Sequence, residues 1–217
     1  MLTLKRVFQI LIICSLSFAF QTRQDPMATD ILNGVSKKYR KFAGFSAEFT
    51  HDSETNSGKV LNSQKGKIKV AGSKYQLITE RATLICDGKT VWTIQPKIKE
   101  VTVSDYEPEP GDITPERIYT FYQKGYKYLF IGEVKVKNKV WQTIDLEPEN
   151  LKKEISKIRL YVDKTSHAIT KWIVFERGTN ERESFEVEKF EGRAKVDPTD
   201  FSFNKKKYPG YKVVDLR

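Results

Sequence analysis

From Phe45 onward, most of the chain consists of short runs in which apolar and polar residues alternate. Phe45, Ala47 and Phe49 share one face of the first run, opposite Ser46 and Glu48, and this period of two is typical of β-strands. Seven later runs, separated by turn signals, follow without an intervening helix: Tyr126 to Ile131, Val140 to Leu146, Ile155 to Val162, Ala168 to Glu176, Glu183 to Phe190, Phe201 to Phe203 and Lys212 to Val214. The pattern excludes a parallel α/β fold and predicts an antiparallel sheet of about ten strands that curls towards a barrel.

Two segments have helical spacing instead. The first contains apolar residues such as Ile31 and Val35 on one face, with Thr29 as the predicted N-cap and Gly44 as the predicted end. The second lies in "ITPERIYTFYQKG" and has Thr114 at the predicted N-cap. Its predicted helical face is rich in aromatic residues and consists of Ile118, Phe121 and Tyr122.

Residues 1–20 differ in composition from the rest of the chain. Two basic residues precede an apolar run that ends in small residues, which is typical of a secretory signal peptide. The run is short for a membrane span, although an uncleaved N-terminal anchor is the alternative. We therefore predict cleavage between Ala19 and Arg23, which leaves residues 21–217 as a single exported domain.

The two cysteines have no predicted chemical role. Cys14 lies in the signal and follows Ile13, whereas a lipoprotein signal needs a small residue there, so acylation of Cys14 is not expected. Cys86 is then the only cysteine of the exported chain and cannot form an internal disulfide. Its position in an apolar strand predicts a small, buried, structural side chain.

The chain is strongly basic, with 38 lysines and arginines against 28 acidic residues and a net charge of +10. Without Lys5 and Arg6 of the signal, 36 basic residues remain and the charge is about +8. Such a surface favours anionic partners, and export argues against nucleic acid. The lysines alternate with apolar strand residues, so many of them are expected to form a solvated outer face.

No catalytic or metal-binding pattern is visible in the sequence. His51 and His167 lack partners at metal-ligand spacing, and no nucleophile elbow or phosphate-binding glycine loop occurs. An acidic strand face is the one basis for an enzyme hypothesis, and it contains Glu181, Glu183, Glu186 and Glu188. Because catalytic carboxylates are expected among apolar neighbours, we predict no enzyme activity, no metal and no cofactor.

Aromatic residues are frequent, with 13 Phe, 10 Tyr and 3 Trp, and some strands are apolar on both faces. Trp172 and Val174 lie opposite Ile173 and Phe175, for example. The two helices could fill the inside of the curled sheet as an ordinary core. Alternatively, the concave face exceeds what two short helices cover and leaves a slot for an apolar ligand.

The hairpin "CDGKTVWTIQPKIKEV" resembles the signature hairpin of the periplasmic outer-membrane lipoprotein carriers, the LolA family. Asp87, Gly88, Lys89, Trp92 and Pro96 match its pattern. "ILNGVSKKYRKFAGFSAEFTH" is similar to the opening helix and Phe-x-Ala-x-Phe strand of the family, and "VDPTDFSFNKKKYPGYKVVDLR" is similar to its closing segment. The three matches occur in the family's order and cover nearly the whole exported chain.

The resemblance implies a mainly β fold, an incomplete, half-open antiparallel barrel of ten or eleven strands with helices over its concave apolar face. It implies a monomeric periplasmic carrier that receives lipoprotein acyl chains from an inner-membrane transporter and delivers them to an outer-membrane acceptor. It also implies a set of ligand-binding residues on the concave face and in a helical lid: Phe45, Phe49, Ile68, Val70, Tyr75, Leu77, Trp92, Ile118, Phe121 and Tyr122.

One departure from the family concerns the lid. The family has a basic residue followed by proline after the second strand, and that arginine holds the lid closed, whereas this chain has Ala71-Gly72-Ser73. The latch is therefore absent or supplied by another residue. This difference motivates an alternative hypothesis, a periplasmic sensor or adaptor that uses the same half-barrel to bind another lipid or a protein.

Overall fold

The computed structural model describes residues 24–109 and 111–217, so the predicted signal peptide lies outside the described residues. All of its strands belong to one open sheet. These are β1 Phe45–Thr55, β2 Val60–Ala71, β3 Lys74–Thr79, β4 Thr83–Cys86, β5 Thr90–Gln95, β6 Glu100–Asp105, β7 Tyr126–Val136, β8 Lys139–Pro148, β9 Ile155–Asp163, β10 Ile169–Glu176, β11 Glu181–Glu191 and β12 Lys212–Asp215.

The strand order is β12-β6-β5-β4-β3-β2-β1-β11-β10-β9-β8-β7. Every neighbouring pair is antiparallel except β12 with β6, which is parallel. Strands β1 to β6, together with β12, thus form one side of the sheet and β7 to β11 the other, joined where β1 pairs with β11. The predicted fold class, mainly β with an incomplete barrel, is confirmed, although the sheet has twelve strands rather than ten or eleven.

The first helix, α1, spans Pro26–Tyr39. Its N-cap is Asp25, whose carboxylate accepts hydrogen bonds from the amides of Met27 and Ala28 at 2.8 and 3.2 Å. The predicted N-cap Thr29 is therefore wrong, since Asp25 followed by proline is the stronger start signal. Asp25 also accepts a bond from the amide of Phe130 in β7, which lowers the pKa of its carboxyl group and ties the helix to the sheet.

The second predicted helix is wrong as a continuous element. Its residues form two short 3₁₀ turns, Pro115–Arg117 and Phe121–Gln123. Tyr119 lies between the turns and stacks on Tyr39 with ring centroids 5.4 Å apart, whereas Phe121 packs against Tyr126. A single helix with one apolar face would not direct both side chains to these partners. Tertiary packing overrides the local propensity here. We call residues 113–123 the covering segment.

The core is divided between the two faces of the sheet. On the concave face, α1 and the covering segment pack against the sheet in the larger cluster. On the opposite, convex face, the C-terminal segment packs Phe203, Tyr208 and Tyr211 against β4, β5 and β6. The run Phe201 to Phe203 was predicted as a strand and is not one, because Asp197 caps a 3₁₀ turn at Pro198–Phe201.

Cys86 is fully buried against the larger cluster. Burial raises the pKa of its thiol to about 11, so the thiolate is scarce at neutral pH and the side chain packs as a small apolar group. Among residues 24–109 and 111–217, no helix combines the length and apolar character needed to cross a membrane.

Candidate functional site

An apolar cavity lies between the concave face of the sheet, the end of α1 and the covering segment. Its volume is about 380 Å³, within the range of small-molecule binding sites. Strands β1, β2, β3, β10 and β11 provide most of its surface, and the covering segment closes part of it. The lining residues are Tyr39, Phe45, Ala47, Phe49, Ile68, Leu77, Ile113, Thr114, Pro115, Ile118, Ile155, Ile169, Trp172, Val174, Glu183, Phe185, Val187 and Phe190.

The strand register explains how these side chains meet. Ala47 lies opposite Ile68 of β2 and opposite Phe190 of β11, so one position of β1 brings both halves of the sheet to the cavity. The ring of Phe49 covers Gly66, where an added Cβ would lie only 2.2 Å from the ring. Glycine at this position therefore lets the aromatic ring lie flat against the cavity surface.

Five of the ten predicted site residues line the cavity, namely Phe45, Phe49, Ile68, Leu77 and Ile118. Four others, Val70, Tyr75, Phe121 and Tyr122, are buried in the adjoining core. Their role in ligand binding stays a prediction.

Trp92 was expected on the concave face, and this placement is wrong. Its ring stacks on Phe203 with centroids 6.1 Å apart, within the cluster on the convex face. Strand alternation instead directs Val91 into the concave core. The sequence does not distinguish these two faces, because Trp92 and Val91 are both apolar.

The sequence interpretation missed the other half of the cavity surface. Trp172 and Val174 of β10 and Phe185 and Val187 of β11 all line it. Their signal is visible: β11 alternates apolar and acidic residues, and β10 is apolar on both faces. The opposing strand β11 pairs with β1 across more than 120 positions of sequence, which local periodicity does not reveal.

The covering segment is held by buried polar contacts. The Tyr122 hydroxyl donates to the carbonyl of Leu32 in α1 at 2.6 Å, and the Ser36 hydroxyl donates to the carbonyl of Tyr119 at 2.7 Å. Burial raises the pKa of Tyr122, so the phenol stays protonated and keeps donating. These bonds fix the segment against α1 rather than leaving it as a free lid.

A buried carboxylate anchors the same segment to the sheet. Glu116 is 7% exposed, and its Oε1 accepts hydrogen bonds from the Tyr106 hydroxyl at the end of β6 and from Thr114 Oγ1. Burial, and then the bond to Glu116, raise the pKa of Tyr106. The Ala71-Gly72-Ser73 turn supplies no basic side chain, so this contact, rather than an arginine, connects the segment to the strands.

We expect Tyr106→Phe to lower the free energy of unfolding by about 1 to 3 kcal/mol, since it removes a hydrogen bond to a buried charged group. Chemical denaturation measures the change. Tyr128→Phe is the control, because the hydroxyl of Tyr128 donates to no described residue. Equal stability of the two variants would show that the Tyr106 to Glu116 contact does not anchor the segment.

The described polar groups of the site do not form a serine–histidine pair. The Ser53 hydroxyl donates to Glu183 at 2.5 Å rather than to His51, so the hydrogen bond between serine and histidine that is typical of nucleophilic catalysis is not formed. Within the described ranges, no group of three or more histidine, cysteine, aspartate or glutamate residues could hold a metal ion. What the site offers is apolar surface.

Fold and cavity together define a class of proteins in which an open antiparallel sheet curves around an apolar cavity under one helix. Residues 40–204 match the family described as "Outer membrane lipoprotein carrier protein LolA". The match covers most of the chain, and the protein belongs to this family.

Individual relatives are distant. The chain is 28% identical over 98 residues to an outer-membrane lipoprotein carrier protein of Psychromonas ingrahamii, covering 43% of this chain and 47% of that protein. It is 28% identical over 79 residues to the corresponding protein of Actinobacillus succinogenes, covering 35% and 38%. The matched part thus spans about half the length of the first curated relative and less than half the length of the second.

Among solved structures, an uncharacterized conserved protein of Thermus thermophilus superposes with a TM-score of 0.59 at 11% identity. The match covers 87% of this chain and 99% of that chain. At this identity the likeness concerns the fold alone.

Proposed function

We propose that the protein is a monomeric periplasmic carrier that shields lipoprotein acyl chains in its apolar cavity during transfer from the inner to the outer membrane. Residues 21–217 act as the exported domain after removal of the signal. The donor is an inner-membrane lipoprotein-releasing transporter, and the acceptor lies at the outer membrane. The observation that carries the proposal is the cavity of about 380 Å³ with its almost wholly apolar lining.

Family membership and the names of the curated relatives support a carrier. The physical requirement also fits the site, because each buried methylene contributes about 0.8 kcal/mol. A chain of a dozen or more carbons therefore needs a continuous apolar surface to remain in water. Phe45, Phe49 and Leu77 on one side and Trp172 and Phe185 on the other supply it.

Transfer also requires release, and the cavity is only partly covered. Ile118 is half-exposed and lines the cavity from the covering segment. A carrier of this form performs no bond making or breaking. The carrier holds the acyl chains, and transfer requires that the acceptor bind them more tightly than the carrier does.

The proposal is tested by release of lipoproteins from spheroplasts. We expect the exported domain to bring a newly acylated lipoprotein into the soluble fraction as a complex with one copy of the carrier. Ile118→Asp should reduce release severalfold, because it places a charge on apolar lining. Gln123→Asp is the control, because Gln123 lies in the same segment and is exposed.

Failure to release acylated lipoprotein would contradict the proposal. Stoichiometric capture of a protein partner that is unaffected by removal of lipid would instead favour the sensor or adaptor.

A further inference from the structure

One end of the cavity is polar. Among the described residues that line it, Glu183 is the one carboxylate. Its oxygens accept hydrogen bonds from Ser53 Oγ and from His51 Nε2, and Nδ1 of His51 lies 3.0 Å from Nε2 of Gln64. We call these four residues the Glu183 cluster.

The cluster is built on three adjacent strands. His51 of β1 lies opposite Gln64 of β2 and opposite Phe185 of β11. The imidazole stacks on the ring of Phe185 at a centroid distance of 4.3 Å, and Phe185 stacks on Trp172 at 4.9 Å. Because Phe185 and Trp172 line the cavity, the cluster lies directly beside its apolar surface.

The donors of His51 and Ser53 are used within the cluster. When Gln64 donates to Nδ1 of His51, the imidazole carries its proton on Nε2 and donates it to Glu183. Ser53 donates its hydroxyl proton to the other oxygen of Glu183. No further donor of His51 or Ser53 remains for a ligand.

Apart from one N–H of Gln64, the unused capacity consists of acceptors. Oε1 of Gln64 is buried and has no hydrogen-bond partner among the described residues, although such groups are usually paired. Each oxygen of Glu183 can accept a further bond. Glu183 contacts His51 but forms no ion pair with a described lysine or arginine, whereas several carboxylates elsewhere on this basic protein do. The side chains of His51 and Glu183 are 23% and 27% exposed, so a ligand can reach them.

We propose that the Glu183 cluster binds the N–H-donating polar group of an amphiphile whose acyl chain occupies the cavity. The chain then extends from Glu183 towards Phe45 and Phe190 at the other end. An anionic head group is disfavoured, because it would face the carboxylate of Glu183. This inference rests on the proposed function, since it assumes that the cavity holds an acyl chain.

Two sources share this chemistry, the primary ammonium of a lipid head group and the amide N–H of an acylated peptide. Four probes with the same twelve-carbon chain separate them: dodecylammonium, N-methyldodecanamide, methyl dodecanoate and dodecanoate. Their affinities are measured by displacement of the uncharged dye N-phenyl-1-naphthylamine. We expect at least one of the two N–H donors to bind about tenfold more tightly than the methyl ester, and dodecanoate to bind more weakly than either donor.

Glu183→Gln is the principal variant. We expect it to reduce the donor preference, the ratio of donor affinity to methyl ester affinity, to within about twofold. Glu186→Gln is the matched control, since Glu186 lies on the opposite face of the same strand and pairs with Lys171. Gln64→Leu is a second variant, should Glu183→Gln fail to fold, and it should also weaken the donor preference.

The outcomes separate the two proposals. A preference for the ammonium probe assigns the cluster to a lipid head group, and a preference for the amide assigns it to an acylated peptide. If methyl dodecanoate binds as tightly as both donors, or if Glu183→Gln keeps the preference, the cluster does not recognise the polar group. The carrier proposal is not contradicted by that result. If no probe binds, the carrier proposal and this inference both fail.

Discussion

Replacing Ala47 with phenylalanine is expected to abolish most acyl-chain binding while the fold remains. Ala47 lies in the centre of the cavity surface, opposite Ile68 and Phe190. The added ring would occupy volume that the chain needs. If it displaces about three methylenes, the binding free energy falls by about 2.4 kcal/mol, or about fiftyfold in affinity.

Displacement of N-phenyl-1-naphthylamine by methyl dodecanoate measures the effect. Ser46→Phe is the matched control, because Ser46 precedes Ala47 in β1 and its hydroxyl bonds to Glu191 on the other face of the strand. Unfolding in denaturant has to show that Ala47→Phe stays folded, since overpacking costs about 1 to 3 kcal/mol. Unchanged affinity of the folded variant would show that the acyl chain binds elsewhere.

Phe121→Ala is expected to lower the free energy of unfolding by about 3 to 5 kcal/mol, the usual cost of removing a buried aromatic ring. Phe121 is 3% exposed and packs edge-on against Tyr126 with ring centroids 5.2 Å apart. The resemblance to the carriers predicts this residue in a lid. In the structure Phe121 is buried in the core, so a lid that contained it could open only by pulling the ring out of that core.

Gln123→Ala is the control, because Gln123 lies in the same 3₁₀ turn and is exposed. Chemical denaturation of both variants decides whether Phe121 belongs to a fixed core or to a mobile lid. A loss of less than about 1 kcal/mol for Phe121→Ala would indicate that the segment is only loosely packed and free to swing.

The sheet could be predicted from the sequence because its signals are local. Alternation in β1 and β2, and the Asp87-Gly88 turn between β4 and β5, depend on neighbouring residues only. Gly88 adopts a φ of +93°, and the carboxylate of Asp87 accepts bonds from the amides of Lys89 and Thr90. Both features belong to the hairpin that carries the family resemblance.

The second helix and the face of Trp92 could not be predicted in the same way. The 3₁₀ turns are set by contacts with α1 some 85 residues away, such as the bond from Ser36 to Tyr119. Trp92 faces Phe203, which belongs to the C-terminal segment. In both cases the deciding partner is distant in sequence, and several aromatic arrangements satisfy the local pattern equally well.

One side of the candidate site was predicted from the sequence, and the other side was not. Residues on β1, β2 and β3 were identified because alternation there coincides with the resemblance, and Phe45, Phe49, Ile68 and Leu77 line the cavity. The surface contributed by β10 and β11 was not assigned. The acidic residues of β11 were considered for an enzyme hypothesis, yet Glu183 lies at the cavity and pairs with His51.

The central claim, that the cavity holds lipoprotein acyl chains, is tested most directly by native mass spectrometry. The carrier would be isolated from a periplasm that contains one lipoprotein in acylated form, or the same protein with its acylated cysteine replaced. We predict a complex with one acylated lipoprotein per carrier, none with the unacylated form, and loss of the complex in Ala47→Phe. Equal binding of both forms, or a complex that survives Ala47→Phe, would contradict the account.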